Sequence, residues 1–128
     1  AYFERLCASG DVDFIDMSLW DINKKPEEEG FAEQSLLEIF SALPRGETRL
    51  TVAGKINTPK DVLAAMKSGI DFVTLGRAAI LHHNYPELMR SKETFEPTVL
   101  PVSRDCLKRE GLSEKFVNYM ATWDGFVA

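Results

Sequence analysis

Two short apolar segments, at residues 50–56 and 72–77, constrain the fold of this chain more than any other feature. Each is a β-type run that stops at a glycine. The helix predicted between them has Thr58 as its N-cap, Pro59 at its first position and Gly69 at its end. In a β/α barrel, amide N–H groups in the loops after the last two strands converge on one phosphate. The pattern therefore predicts the phosphate-binding end of a β/α barrel.

The length of the chain limits how much of a barrel is present. A complete β/α barrel takes about 250 residues, whereas this chain has 128. Only three strands are predicted, at residues 13–19, 49–53 and 71–75. We therefore predict an α/β fold, namely half of a TIM-type β/α barrel with about three parallel strands, flanking helices and a C-terminal arm. In this prediction, residues 1–93 form the C-terminal half of the barrel and residues 94–128 form the extension.

Helix signals fill most of the remaining chain. Helices are predicted at residues 2–9, 35–40, 58–69, 76–81, 87–92 and, in two pieces split by Gly111, 107–121. Residues 20–34 show no periodicity and predict a long loop, and residues 94–101 predict an extended linker. The helix between the second and third strands is expected to bury Val62, Leu63 and Met66. The chain opens in mid-helix without a cap, as a truncated protein would.

Composition excludes several classes of partner. The net charge of −5 and the lack of Lys or Arg runs argue against a nucleic-acid surface. No apolar stretch approaches the roughly 20 residues that span a bilayer, and no signal-peptide pattern is present, so we expect a cytoplasmic protein without a membrane partner. Cys7 and Cys106 lie far apart without a CxxC neighbour, which predicts two free thiols rather than a metal site or disulfide.

Gly54 and Gly76 are the candidate anion-binding positions, because each follows one of two neighbouring predicted strands. Glycine lets backbone amides approach an anion closely, since it has no Cβ. Arg77 adds a planar guanidinium that can pair with a phosphate bidentately. One glycine after a strand usually only makes a turn, but two of them across a capped helix favour a phosphate site. Lys55 has two interpretations: its ammonium reaches the same anion, or it is a solvated loop lysine.

Three stretches of the chain resemble one enzyme family. VAGKINTP at residues 52–59 and GIDFVTLGRA at 69–78 resemble the carboxy-terminal signature of the NADH:flavin oxidoreductases of the old yellow enzyme family. DFIDMSLWD at 13–21 resembles the sixth strand and following loop of that family. The resemblance implies an eight-stranded β/α barrel with FMN at its C-terminal face and NAD(P)H as reductant. It implies that this chain is the C-terminal portion of an FMN-dependent, ene-reductase-like oxidoreductase.

The same resemblance implies where the cofactor binds. Gly54, Gly76 and Arg77 match the positions at the FMN phosphate, and Lys55 is the fourth candidate cofactor-binding residue. Lys55 departs from the family pattern, because a second glycine usually stands at that position. The phosphate of FMN, or a surrogate anion, is therefore the expected ligand of this segment.

No residue of the chain matches the catalytic groups of the family. Those groups, a histidine pair or His/Asn pair and a tyrosine proton donor, come from the first half of the barrel. His82, His83, Tyr85 and Tyr119 are interpreted as packing or hydrogen-bonding residues. We therefore predict no catalytic residue and no metal ligand here, and we expect the isolated chain to be inactive.

Two other functions fit the same residues. The chain is alternatively half of a different phosphate-binding β/α-barrel enzyme, an isomerase or lyase, because a phosphate site does not identify the rest of the molecule that carries the phosphate. It is also interpretable as a noncatalytic, self-associating module. Turnover and flavin binding separate these alternatives from the oxidoreductase.

Self-association follows from the open sheet. Three parallel strands leave two unpaired edges and an inner face that a complete barrel would cover. Burying apolar surface stabilises an assembly by about 25 cal/mol per Å². The chain can cover this face with residues 94–128 or with a second copy. We predict a homo-oligomer, because an arm that lies outside a complete barrel is not shaped to fill its interior.

Overall fold

The computed structural model describes the chain at residues 2–28, 30–31, 33–91 and 94–128. The end of the predicted helix at residue 92 and the predicted domain boundary at residue 93 lie outside these ranges. Among the helices of the described part, none has both the length and the apolar character that a bilayer crossing needs. Backbone contacts divide the chain into two compact units.

The first unit comprises the residues up to Ile56 together with Lys60–Gly76, and its centre is a parallel three-stranded sheet. The strands follow the order β1 (Phe14–Ser18), β2 (Arg49–Ala53) and β3 (Phe72–Val73). The predicted α/β class, with three parallel strands and flanking helices, is confirmed. The sheet is open and does not close into a barrel, and its assignment as half of a barrel stays a prediction.

Three helices accompany these strands: α1 (Tyr2–Ser9), α2 (Leu36–Ala42) and α3 (Pro59–Lys67). A capping box starts α2, because the Glu38 amide donates to the Ser35 hydroxyl at 3.2 Å and the Ser35 amide donates to the Glu38 carboxylate at 2.7 Å. The hydrogen bonds from the Ser35 amide and hydroxyl hold the pKa of Glu38 below its ordinary value. The predicted helix 35–40 is thus confirmed, with Ser35 as its cap.

Alternation along the strands gives the sheet a buried face and an open face. Met17, Leu50 and Val52 share the buried face and are at most 8% exposed. The opposite side, here called the open face, is formed by the residues of the other parity, which include Phe14, Asp16, Arg49, Thr51, Phe72 and Thr74. The open face thus carries polar and charged side chains beside the two phenylalanines.

The prediction that Leu63 and Met66 lie on the buried face of α3 is wrong. Their exposed fractions are 52% and 39%, whereas Val62 and Ala65 are at most 7% exposed. Pro59, Val62 and Ala65 repeat every three residues and form the buried stripe. The prediction followed side-chain size, but the small Ala65 occupies the face that packs inward.

Asp71 ties β3 to β2. Its amide donates to the Leu50 carbonyl at 2.8 Å, and its carboxylate accepts hydrogen bonds from the Leu50 amide at 2.8 Å and from the Arg45 guanidinium at 3.3 Å. The Thr74 amide donates to the Val52 carbonyl at 3.0 Å. The strand is shorter than the predicted 71–75, but its backbone pairing with β2 runs from Asp71 to Thr74.

The second unit comprises Asn57–Pro59 together with Arg77–Ala128. Its helices are α4 (Arg77–Leu81), α5 (Tyr85–Ser91), α6 (Arg104–Arg109) and α7 (Glu114–Met120). The last two match the predicted pair of pieces around Gly111, although α6 begins earlier than predicted because the Ser103 hydroxyl accepts the Cys106 amide at 3.2 Å.

A core of its own holds the second unit together. Six buried hydrophobic residues form this core: Leu81, Val102, Leu107, Val117, Met120 and Phe126. A parallel bridge joins Val102 to Val127. Five of the six lie within residues 94–128, so the predicted arm is a packed helical segment. The domain boundary at residue 93 stays a prediction.

Candidate functional site

The predicted anion site lies at the carboxyl edge of the sheet. Because the strands are parallel, their carboxyl ends share one edge. Gly54 and Lys55 directly follow β2, and Gly76 comes three residues after the end of β3. The structure therefore places these three candidates in the loops of two neighbouring strands at the same edge.

Gly54 lies against the loop that follows β1. The Leu19 amide donates to the Ala53 carbonyl at 2.8 Å, and the Ile22 amide donates to the Gly54 carbonyl at 3.2 Å. Gly54 has a φ of +154°, and a Cβ there would lie 2.5 Å from the Leu19 carbonyl oxygen. Close approach of two backbone segments therefore requires glycine at this position, whether or not an anion binds.

Lys55 forms an ion pair that neither of its two interpretations included. Its Nζ lies 3.1 Å from Asp21 Oδ2, and its backbone has a φ of 50°. A hydrogen bond from the Asn23 amide, followed by the Lys55 ammonium, holds the pKa of Asp21 below its ordinary value. The side chain of Lys55 remains 58% exposed.

Gly76 and Arg77 differ from Gly54 in what surrounds them. A Cβ built on Gly76 would meet nothing within 4 Å, so packing does not explain the glycine. Arg77 is exposed and is the first residue of α4, which belongs to the second unit. Both residues leave room for a ligand on their exposed surfaces.

Sequence reasoning missed a row of polar groups across the open face. The Thr74 hydroxyl lies 3.3 Å from Asp16 Oδ1 and 3.0 Å from the hydroxyl of Thr51, which is fully buried. The three residues come from β1, β2 and the end of β3. Their signal is a polar residue within each otherwise apolar strand segment, which is unusual for a strand buried on both faces. This row can orient a hydroxyl or carbonyl group placed against the face.

A cavity of about 740 Å³ lies at the amino edge of the sheet rather than at the predicted site. It is lined by the start of β1 and β2 and by the preceding loops, with Asp13, Glu47 and Arg49 as its charged residues. Its mixed charges and its position opposite the glycine loops separate it from the predicted anion site. We therefore treat Arg49 as the main competing anion contact.

Both histidines make contacts within the second unit. The His82 Nε2 accepts the Thr98 amide at 2.9 Å, and His83 Nδ1 lies 2.8 Å from Glu110 Oε2. The Tyr85 hydroxyl donates to the Asn57 carbonyl at 3.0 Å. These contacts give the three rings packing and hydrogen-bonding roles.

Glu110 makes the stability of the second unit depend on pH. Partial burial acts to raise the pKa of Glu110, but hydrogen bonds from the His83 amide and ring outweigh it and lower the pKa. The ionised carboxylate therefore stabilises the fold above the unfolded pKa, and this contribution is lost as pH falls through the lower, folded value. We expect Glu110→Gln to cost about 1 kcal/mol at neutral pH and almost nothing once the pH has fallen below the lowered pKa of the folded state.

Thermal or urea unfolding of both proteins from neutral pH down to acid measures this difference. The exposed Glu96→Gln is the matched control, for which we expect no comparable loss at neutral pH. A cost for Glu110→Gln that stayed constant with pH would contradict the role assigned to the carboxylate.

No family model, curated protein sequence or solved structure matches this chain.

Proposed function

We propose that this chain is the C-terminal portion of an FMN-dependent NAD(P)H:flavin oxidoreductase of the ene-reductase type, and that it supplies the loops for the FMN phosphate. The observation that carries the proposal is the shared carboxyl edge of β2 and β3. Each of these strands is followed by a glycine and a cation, Gly54–Lys55 and Gly76–Arg77.

The chemistry of these residues fits a phosphate dianion. Exposed Gly76 has no side chain to keep an anion from its amide, and the side chain of Lys55 is 58% exposed. A guanidinium such as that of Arg77 offers two parallel N–H donors to two phosphate oxygens. Amides and cations together hold a dianion more strongly than either does alone.

Asp21 has a positioning role in this proposal. Its carboxylate holds the Lys55 ammonium at 3.1 Å beside the turn after β2. FMN, when bound, supplies the hydride-transfer chemistry. The residues of this chain would bind and orient its phosphate, and the groups that contact the flavin ring and the substrate would come from outside this chain.

Equilibrium dialysis against FMN and riboflavin tests the proposal. We expect FMN to bind with a dissociation constant on the order of 1 mM, because only the phosphate contacts are present. Riboflavin, which lacks the phosphate, should not bind measurably. Arg77→Gln should weaken FMN binding roughly tenfold, as expected for loss of a charge-assisted pair, whereas Arg5→Gln in α1 should leave it unchanged.

Three results would overturn the proposal. Equal binding of riboflavin and FMN would place the affinity in the ring rather than the phosphate. Tighter binding of a phosphorylated sugar would favour the isomerase or lyase alternative. Saturable NADH oxidation by the isolated chain with FMN, above the free-flavin background, would show that it contains catalytic groups of its own.

A further inference from the structure

Residues 94–98, here called the strap, lie between α5 and the core of the second unit, and they contact His82 at two points. The Phe95 ring packs edge-to-face against the rings of His82 and Tyr85, with centroids 5.5 Å and 5.2 Å away. The Thr98 amide donates to His82 Nε2 at 2.9 Å. Since His82 directly follows α4, one imidazole joins the strap to the end of that helix.

The hydrogen bond from Thr98 depends on the protonation state of His82. Nε2 accepts a hydrogen bond only while the ring is neutral, with its proton on Nδ1. A proton on Nε2 replaces the lone pair with an N–H group that faces the N–H of Thr98. The contact is partly buried, so the amide then loses its acceptor in a place where water replaces it poorly. Imidazole side chains change charge between about pH 5 and pH 8.

The charged groups around His82 respond differently over this range. Glu110 of α6 acts on His82 through its negative charge, but it accepts hydrogen bonds from the His83 amide and ring. Although partial burial acts to raise it, these hydrogen bonds hold the pKa of Glu110 below its ordinary value. Glu110 therefore stays ionised while imidazoles titrate, and its charge is favourable beside a protonated His82. The charged residues of the strap and of α5 are exposed: Glu96, Glu87 and Arg90.

We propose that His82 is an acid-sensitive switch, in which protonation at Nε2 releases the strap while the core of the second unit stays folded. Other contacts hold that core together. The Val102 amide donates to the Phe126 carbonyl at 3.0 Å, and the Ala128 amide donates to the Val102 carbonyl at 2.9 Å. Neither bond involves a titratable group, so both persist when His82 gains a proton.

Release of the strap changes the surroundings of Tyr85. This residue is 1% exposed, and the Phe95 ring that packs against it leaves with the strap. The Tyr85 hydroxyl donates to the carbonyl of Asn57, two residues after Lys55. The switch therefore acts beside the loop that follows β2. The inference rests on contacts within the second unit and does not depend on FMN binding.

Amide hydrogen exchange of the ¹⁵N-labelled chain tests the switch. The protection factor of the Thr98 amide, which corrects for the intrinsic exchange rate at each pH, should fall roughly tenfold or more between about pH 7.5 and about pH 5. The midpoint should coincide with the titration of the His82 ring nitrogens, followed by NMR in the same samples. The amides of Val102 and Ala128 should keep their protection.

Two variants separate His82 from its neighbour. His82→Phe keeps a ring against Phe95 but offers no acceptor, so the Thr98 amide should have low protection at both ends of the pH range. His83→Gln is the matched control, because it removes the adjacent imidazole and leaves the contact between His82 and Thr98 in place. In this variant the protection of Thr98 should keep its pH dependence. The titration of the unchanged chain tests the switch even if a variant fails to fold.

Any of four results would overturn the inference. Constant protection of Thr98 across the pH range would show that a neutral His82 does not hold the strap. A midpoint that follows the ring of His83 would assign the effect to the other imidazole. PH dependence that persists in His82→Phe would do the same for a group elsewhere. Simultaneous loss of protection at Val102 and Ala128 would show that the whole unit opens rather than the strap.

Discussion

Phe126→Ala is expected to lower the free energy of unfolding of the second unit by about 3–5 kcal/mol. Phe126 is 2% exposed and belongs to the core that also contains Leu107, Val117 and Met120. Its backbone carbonyl also accepts a hydrogen bond from the amide of Val102 at 3.0 Å, so residue 126 contributes both a buried ring and a backbone contact to this core. Removing the ring leaves a cavity that neighbouring helices fill only in part, which adds to the lost burial.

Phe116→Ala is the matched control for this change. Phe116 lies on α7 and is 40% exposed, so the same truncation should cost about 1 kcal/mol or less. Urea unfolding followed by tryptophan fluorescence and by amide NMR signals of α6 and α7 measures both variants. Equal costs for the two phenylalanines would show that residues 94–128 form a loosely packed arm without a core.

Gly54→Ala is expected to cost about 2–5 kcal/mol of folding free energy. The added Cβ would lie 2.5 Å from the Leu19 carbonyl oxygen, and both contacting atoms belong to backbone segments that cannot rotate away. The amides of Leu19 and Ile22 donate hydrogen bonds to the carbonyls of Ala53 and Gly54, and these bonds join the same two backbone segments. Relief of the clash therefore requires that the loop after β1 move away from β2.

Gly46→Ala separates the clash from the cost of backbone conformation. Gly46 has a φ of +57°, and a Cβ there would meet nothing within 4 Å, so only the left-handed conformation opposes alanine. We expect about 1–2 kcal/mol for this control. Thermal or urea unfolding of both variants gives the comparison, and a Gly54→Ala cost no greater than that of Gly46→Ala would refute the close approach.

Periodicity and capping predicted most of the secondary structure. The strand at 49–53, the helices at 2–9 and 58–69 and the break at Gly111 are found where their residue patterns place them. These features depend on nearby residues, such as an N-cap followed by proline, and can be identified from sequence alone. The strand order and parallel direction also follow from the β/α alternation.

Features that depend on tertiary packing were not predicted from the sequence. The buried stripe of α3 passes through Ala65 rather than Leu63, because the space available beneath a helix is not encoded in the helix itself. The core of residues 94–128 combines Leu81 with distant positions such as Phe126, and no local period connects them. Local sequence patterns therefore did not reveal that this segment packs into a core.

The glycines of the candidate site could be located from the sequence, but their contacts could not, and anion binding at them stays a prediction. The glycines after β2 and β3 could be identified from the ends of two apolar runs. The ion pair between Lys55 and Asp21 joins residues 34 positions apart in the chain, and it forms only because β1 and β2 are neighbours in the sheet. The structural requirement for glycine at position 54 likewise depends on the approach of Leu19.

A phosphate titration of the ¹⁵N-labelled chain, followed through its backbone amide signals, tests most directly whether the loops after β2 and β3 bind a phosphate. We expect the largest shifts at residues 54–56 and 76–78, with saturation at concentrations on the order of millimolar. Arg77→Ala should weaken these shifts. Shifts concentrated at the amino edge, at Arg49 and residues 47–48, would contradict the phosphate site and with it the assignment to an FMN-binding protein.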